Sequence, residues 1–316
     1  MILVCGEALF DLVSSPQHSA SQQLQFRALP GGSPFNLAIG LRRLGESVAF
    51  LGGLSEDWFG SELRSCLVKE NVDVSRTSAS PLPTPIAMAL LSSDGQPAYQ
   101  FYVKNCAQLA LDLTHLHKAQ ADGFSALAIG SFLLDDDRVG EALVGGVEAI
   151  AREFVVSLDP NIRLGVIKNR SSWQARFERL AASATIIKVS DEDIWALNGA
   201  ASDPIVQARL WHRQGCALVI LTAGSRGATI LHGLEEILIP AVAVPVVDTV
   251  GAGDAFHAAF LSGLSRRGLL SRAKIAGLQT DVLRDIGREA ATAAAIVCSR
   301  PGADPPTLAE LSAHVV

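Results

Sequence analysis

Four consecutive residues, Gly251-Ala252-Gly253-Asp254, put a carboxylate directly behind a run of unhindered backbone amides. Apolar residues then recur at helical spacing through Leu264, so the glycines sit where a loop enters a helix. Such an entry leaves N–H groups without partners and carries the positive end of the helix dipole, which stabilises an anionic oxygen. Gly251 and Gly253 lack a Cβ and permit close approach. This is the arrangement needed to deprotonate a hydroxyl beside a phosphate. On these residues alone the alternative is a glycine-containing turn, with Asp254 serving only as a first-turn partner of the dipole.

Further polar and glycine-rich stretches follow runs that look like buried strands. Thr222-Ala223-Gly224-Ser225-Arg226-Gly227 could set backbone amides and a hydroxyl around a nucleotide phosphate, or could be a turn into the extended run Ala228 to Leu231. In Pro30-Gly31-Gly32-Ser33-Pro34-Phe35-Asn36, Ser33 and Pro34 read as N-cap and first helical position. Asn36 both donates and accepts, which suits a sugar hydroxyl, although it could equally bond locally. A buried Asp11 would need partners, and polyol hydroxyls would serve. Arg163, after Asp159-Pro160-Asn161, could reach a phosphate, and acids near Asp193 could hold water around Mg2+. Each of these acids could instead start a helix, the better reading for Ser190 and Asp191.

Other chemistries are excluded by what is missing. There is no Gly-Lys dipeptide, hence no Walker-type P-loop, and Gly6-Glu7-Ala8-Leu9-Phe10 is no dinucleotide fingerprint. Neither Gly-x-Ser-x-Gly nor His-Glu-x-x-His occurs, and His115 and His117 read as surface histidines. The net charge of -6 over 316 residues predicts no nucleic-acid or anionic-membrane partner, so any phosphate must be bound locally. The five cysteines are scattered and odd in number, which fits a reducing cytosol. Met1 to Cys5 lacks a basic start and is interrupted by Glu7 and Asp11, and no apolar run reaches spanning length; a cytoplasmic protein is expected.

Positioning these groups requires an α/β scaffold. Buried strands are expected at Ile2 to Cys5, Val48 to Leu51, Ala126 to Ile129, Val155 to Leu158, Thr185 to Val189 and Leu218 to Leu221, and extended structure at Ile239 to Thr249. Helices are expected near Pro34 to Leu44, Trp58 to Lys69, Val139 to Arg152, Ser171 to Ala182, Asp203 to Arg213 and Asp281 to Ser299. The alternation implies a central, mainly parallel sheet flanked by helices, with ligands at the strand C-termini. Two stretches carry only strands, and the second reads as a hairpin turning at Ser93 to Pro97. The expected division is a core of 1–11, 30–74 and 105–316 and a small β-sheet lid of 12–29 and 75–104.

In this order the pieces resemble the ribokinase-type (PfkB) carbohydrate kinases, over essentially the whole chain from Gly6-Glu7 to Arg300-Pro301-Gly302-Ala303. The resemblance implies a ribokinase-like fold and ATP-dependent transfer of the γ-phosphoryl group to a primary hydroxyl of a small sugar. Asp254 would be the general base, and the amides of Gly251, Ala252 and Gly253 an anion hole. Asp11, Gly31, Gly32, Asn36, Phe101 and Arg163 would line the sugar side. Lys188, Thr222, Gly224, Gly227, Ala294 and Gly302 would line the ATP side. Asp193 would hold Mg2+ through water, Asp248 and Thr249 would adjoin a monovalent cation such as K+, and the lid would pair into a homodimer.

The pattern departs from the family in two places. Ser190-Asp191-Glu192-Asp193 stands where Asn-x-x-Glu is common, giving Asp193 a shorter reach than a glutamate. Gly31 to Asn36, Phe101-Tyr102 and Lys188 to Ser190 look most like bacterial fructokinases, whose usual arginine and aspartate align with Val103 and Gln108. Fructose or a similar ketose is favoured; 2-keto-3-deoxygluconate, ribose or a nucleoside is the alternative substrate, and a non-catalytic sugar- or nucleotide-binding regulator the alternative protein.

Overall fold

The computed structural model describes residues 1–14, 25–91 and 97–314. In chain order the elements are β1 Ile2–Cys5, β2 Leu9–Ser14, β3 Phe26–Gly31, α1 Ser33–Arg43, β4 Val48–Leu51, β5 Gly53–Ser55, α2 Trp58–Lys69, β6 Ser78–Ser80, β7 Ile86–Leu91 and β8 Pro97–Tyr102. Then come α3 Thr114–Lys118, β9 Ala126–Gly130, α4 Asp137–Ile150, β10 Val155–Asp159, α5 Arg170–Ser183, β11 Ile186–Ser190, α6 Asp191–Asn198, α7 Pro204–Arg213 and β12 Leu218–Thr222. The chain ends through β13 Ala228–His232, β14 Glu235–Ile239, α8 Ala252–Arg266, α9 Arg272–Ala276, α10 Thr280–Cys298 and α11 Leu308–His314.

An eight-stranded sheet runs in the order β14-β13-β12-β11-β10-β9-β1-β4. Pairing is parallel from β4 through β12 and antiparallel for β13 and β14. Successive strand residues point to opposite faces, so a sheet covered on both sides needs uninterrupted apolar strands. Ile2 and Val4 join one core with Leu41, Phe256, Phe260 and Ile286, whereas Leu3 and Cys5 join another with Leu143, Phe177 and Trp211. The expected α/β class and mainly parallel sheet are therefore present.

A smaller four-stranded sheet, β3-β2-β7-β8, stands apart. Its outer pair is the expected hairpin, in register from Ile86 opposite Tyr102 to Leu91 opposite Pro97; Ser93 to Gln96 of the expected turn lie outside the described residues. The boundaries differ from those expected for the strand-only stretches. The sheet begins at Leu9 and closes at Gly31, while Ser78–Ser80 pairs with Gly53–Ser55 instead of joining it. The extended reading of Ile239 to Thr249 fails after Ile239, where Pro240 begins a stretch outside any strand. Pro240 and Pro245 have no N–H to give a ladder.

Helices α1 and α8 lie against each other on the first of these core faces. Their approach is set by Gly40, where an added Cβ would come within 2.9 Å of the Ala258 Cβ. Gly40→Leu should therefore push α1 off α8 and cost about 1–3 kcal/mol of unfolding free energy. Urea denaturation measures this, and an unchanged midpoint would show that the two helices can separate freely.

Candidate active site

The C-terminal ends of five parallel strands point the same way and deliver Glu7, Gly130, Asp159, Ser190 and Thr222 to one edge of the sheet. Helix α8 starts over this edge. Its N-cap, Gly251, is left-handed at φ 78°, and an added Cβ would lie 2.6 Å from the Ala303 Cβ, so only glycine fits. The first-turn amides of α8 carry the positive dipole end. One of them, Ala252 N–H, also donates weakly to the Thr249 carbonyl at 3.3 Å.

Asp254, in that first turn, is gripped on both oxygens by α1. Ser33 Oγ donates to Oδ1 at 2.6 Å and Asn36 Nδ2 donates to Oδ2 at 2.9 Å. Ser33 was expected as the N-cap of α1, but Gly32 takes that position at φ 104° without a side-chain bond, which frees the Ser33 hydroxyl for Asp254. Burial pushes the Asp254 carboxyl up, the Ser33 and Asn36 bonds oppose this, Asp159 adds to it and Lys188 opposes it. A carboxylate whose proton affinity is raised while it stays hydrogen-bonded is suited to accept a proton.

Two more carboxyls share this region. Asp11 of β2 rests on Gly31, where a Cβ would come within 2.3 Å of Asp11 Oδ2. Burial raises Asp11 to about 6, with Arg163 opposing and Asp254 reinforcing the shift. Glu7 is buried with Oε2 unpartnered, and desolvation pushes it up to about 8 against the lowering effect of its own and Ser33's N–H groups. Glu7 carried no signal as a site residue beyond its place after β1.

The sequence did not show that a buried polar cluster forms between α8 and the sheet. Lys188 Nζ pairs with Asp159 Oδ2 at 2.8 Å, and His257 Nε2 and Ser157 Oγ are 2.7 Å apart. Lys188, expected to touch nucleotide, is therefore paired inside the protein. Burial pushes His257 down to about 3, so its ring is neutral. The only sequence signal was polar residues within strands that are otherwise apolar.

On the other side, Thr222 closes β12 and Gly224 to Gly227 turn the chain into the antiparallel β13, as the turn reading required. Gly227 has φ 88°, and a Cβ there would meet the Ile239 carbonyl at 2.1 Å. Arg226 in this turn pairs with Asp191. Asp248 accepts from Val250 N at 3.1 Å and Gly302 N at 2.9 Å, tying the entry of α8 to the segment after α10, on which Ala294 lies partly buried. Thr249 is exposed. Asp193, expected to hold Mg2+ through water, also serves the fold: Oδ2 completes a capping box with Ser190, and Oδ1 accepts from Ile162 N at 2.6 Å.

A family model described as pfkB family carbohydrate kinase matches residues 1–310. The chain belongs to the pfkB carbohydrate kinase family. It is 38% identical over 286 residues to a fructokinase of Rhizobium leguminosarum bv. trifolii, covering 90% of this chain and 86% of that protein. The crystal structure of a Xylella fastidiosa fructokinase with bound ATP matches with a TM-score of 0.89 at 25% identity, over 99% of this chain and 97% of that one. A Vibrio cholerae O395 fructokinase, in its fructose-, ADP- and calcium-bound form, matches at 0.82 and 26% identity, over 100% and 98% of the two chains.

In this pfkB kinase the small sheet reaches back to the loop after β10. The Phe101 ring lies against Gly165, where a Cβ would be 3.3 Å away, and exposed Arg163 borders a crevice with Ser131, Asn161 and Trp173. Gln108 is buried and donates to the Val103 carbonyl at 2.7 Å.

The kinase's buried carboxyls make its stability pH-dependent. Folded Glu7 keeps its proton up to about pH 8, whereas the free side chain loses it near 4.5. The folded state therefore binds the extra proton between these values, and stability falls as pH rises through that window. Glu7→Gln should flatten this fall in urea-unfolding free energies measured from pH 5 to pH 8. An equal fall in variant and wild type would exclude Glu7 as the source.

Proposed function

We propose that this kinase transfers the γ-phosphoryl group of ATP to a primary hydroxyl of fructose, releasing ADP. The observation that carries the reading is Asp254, whose carboxylate is oriented by Ser33 and Asn36 at the amide-lined start of α8. The sugar hydroxyl oxygen attacks the γ-phosphorus in line as Asp254 takes its proton, and the bond to the β-phosphate oxygen breaks without a covalent enzyme intermediate. Amides of Gly251, Ala252 and Gly253 face the charge that develops on the phosphoryl oxygens. Asp11, Gly31, Gly32, Asn36, Phe101 and Arg163 hold the sugar; Thr222, Gly224, Gly227, Ala294 and Gly302 hold the nucleotide. The fructokinase relatives and the fructose- and ATP-bound neighbours favour fructose.

Mg2+ would neutralise the phosphates. Among the described residues no three acidic, His or Cys side chains cluster to hold a metal, which suits an ion carried mainly by the nucleotide phosphates. A monovalent cation would sit by Asp248 and Thr249. The small sheet acts as the lid over the sugar. The five cysteines are free, which supports a reducing, cytoplasmic setting.

Asp254→Asn should keep the fold and lower kcat by roughly 10²- to 10⁴-fold. ADP release measured across fructose, ribose, 2-keto-3-deoxygluconate and nucleosides, with K+ and without, tests both base and substrate. Full turnover by the variant removes the base; sugar binding with no ADP formed would instead indicate a regulator.

The lid also supports a homodimer. Tyr99 and Tyr102 of its edge strand β8 are about half exposed, and an uncovered edge invites pairing. Sedimentation at micromolar concentration should give a dimer, which a Tyr102→Lys substitution weakens; a wild-type monomer would contradict the interface.

A further inference from the structure

The start of α1 rests on the residues that follow β1. A Cβ on Gly6 would lie 2.3 Å from the Pro34 Cγ, and a Cβ on Gly32 would lie 2.9 Å from the Glu7 carbonyl oxygen. The first turn of any helix leaves N–H groups without intrahelical partners. In α1 the Asn36 N–H reaches the Gly32 carbonyl, Pro34 has no N–H, and Gly32 as N-cap supplies no side chain. The Ser33 N–H is met from the β1 side, by the carboxyl of Glu7.

Glu7 is only 4% exposed, and among the described residues its Oε2 has no partner. A carboxylate in that setting would be a buried charge with one oxygen orphaned, close to the carboxyl of Asp254. Burial raises Glu7 to about 8, so at neutral pH it is an uncharged acceptor. The groups facing it are Asp254 of α8, Arg163 of the loop after β10 and the Cys5 thiol of β1, which burial keeps protonated. A buried polar group with half its capacity unused is a poor element of a core. Its bond beyond its own residue goes to the residue that orients the base: Ser33 gives its N–H to Glu7 and its hydroxyl to Asp254 Oδ1, at 2.6 Å.

We propose that Glu7 is a positioning residue for the base: by holding the Ser33 N–H at the start of α1, it keeps the Ser33 hydroxyl directed at Asp254 Oδ1. The inference rests on the kinase reading above. The N–H and the hydroxyl belong to one residue, so the backbone that Glu7 holds sets where Oγ lies. Without that acceptor the Ser33 N–H has no partner, and the first turn of α1 shifts to find one. Asp254 then loses the Ser33 bond, which lowers its proton affinity, and keeps only the bond from Asn36. The base is both misaligned and harder to keep ionised. An amide at position 7 offers the same acceptor oxygen, so the role belongs to the acceptor and not to a charge.

Two variants separate the acceptor from the charge. Glu7→Met removes the acceptor and fills a similar space, whereas Glu7→Gln keeps the acceptor and cannot ionise. Glu7→Ala serves the same comparison where the methionine does not pack. Glu7→Met should lower kcat roughly 10- to 100-fold with the KM for ATP unchanged. The acid limb of its kcat/KM profile, which reports protonation of the base, should move to higher pH. Glu7→Gln should restore both kcat and the position of the limb. Ser33→Ala should show the same loss and shift, and adding Glu7→Met to it should cost nothing more. Wild-type kcat and limb in Glu7→Met, equal losses in Glu7→Met and Glu7→Gln, or losses that multiply with those of Ser33→Ala would overturn the proposal. Failure of the base reading is separate, because it appears as full turnover by Asp254→Asn. If no sugar is turned over, a carbon NMR titration of the Asp254 carboxyl, assigned with Asp254→Asn, decides instead. An upward shift in Glu7→Met but not in Glu7→Gln supports the positioning role, and equal shifts or none exclude it.

Discussion

The contact on which the site depends is between Asp254 and two side chains of α1. Ser33 and Asn36 lie 221 and 218 residues away in the chain, yet each holds one carboxylate oxygen. Both helices begin at glycines with positive φ, and both present their N-termini to the same sheet edge. The residues proposed to hold the sugar ride on one helix start, and those proposed to face the phosphate ride on the other. The close packing of α1 on α8 at Gly40 and Ala258 therefore sets the distance between the two helix starts.

Around that contact the protein gathers charge that a purely structural core would avoid. Glu7, Asp11, Asp159 and Asp254 converge at the strand ends, and burial heads the forces that raise Glu7, Asp11 and Asp254. The cations that answer them are few: Arg163 from the loop after β10, and Lys188 from within β11. Concentrated carboxyls with shifted proton affinities are a signature of chemistry and a burden on stability.

The layered architecture was legible because it depends on local pattern. Short apolar runs alternating with amphipathic ones imply a parallel sheet covered by helices, and elements such as Ile2–Cys5, Val48–Leu51 and Trp58–Lys69 have the expected bounds. Boundaries moved where pairing partners, not composition, decide the outcome. Ser78–Ser80 finds β5 instead of the small sheet, and the run after Ile239 leaves the ladder at Pro240. Local chemistry left Asp193 open between a metal role and a helix start, and read Ser33 as a cap. Asp193 proved to be a helix cap with both oxygens used, while Ser33, expected as a cap, turned to Asp254.

By itself the sequence determined that a carboxylate follows a glycine-rich helix entry, that the chain alternates strands and helices, and that its pattern is that of a pfkB carbohydrate kinase. These are properties of residue order, spacing and periodicity, which need no third dimension. Only the tertiary structure decided which groups meet: Ser33 and Asn36 on Asp254, Asp159 on Lys188, and His257 beside Ser157. Those pairings come from helices and strands far apart in the chain, and so do the burial and neighbouring charge that shift the Asp254 and Glu7 carboxyls. Long-range packing fixes both distance and dielectric surroundings, and neither quantity is written in a local run of residues.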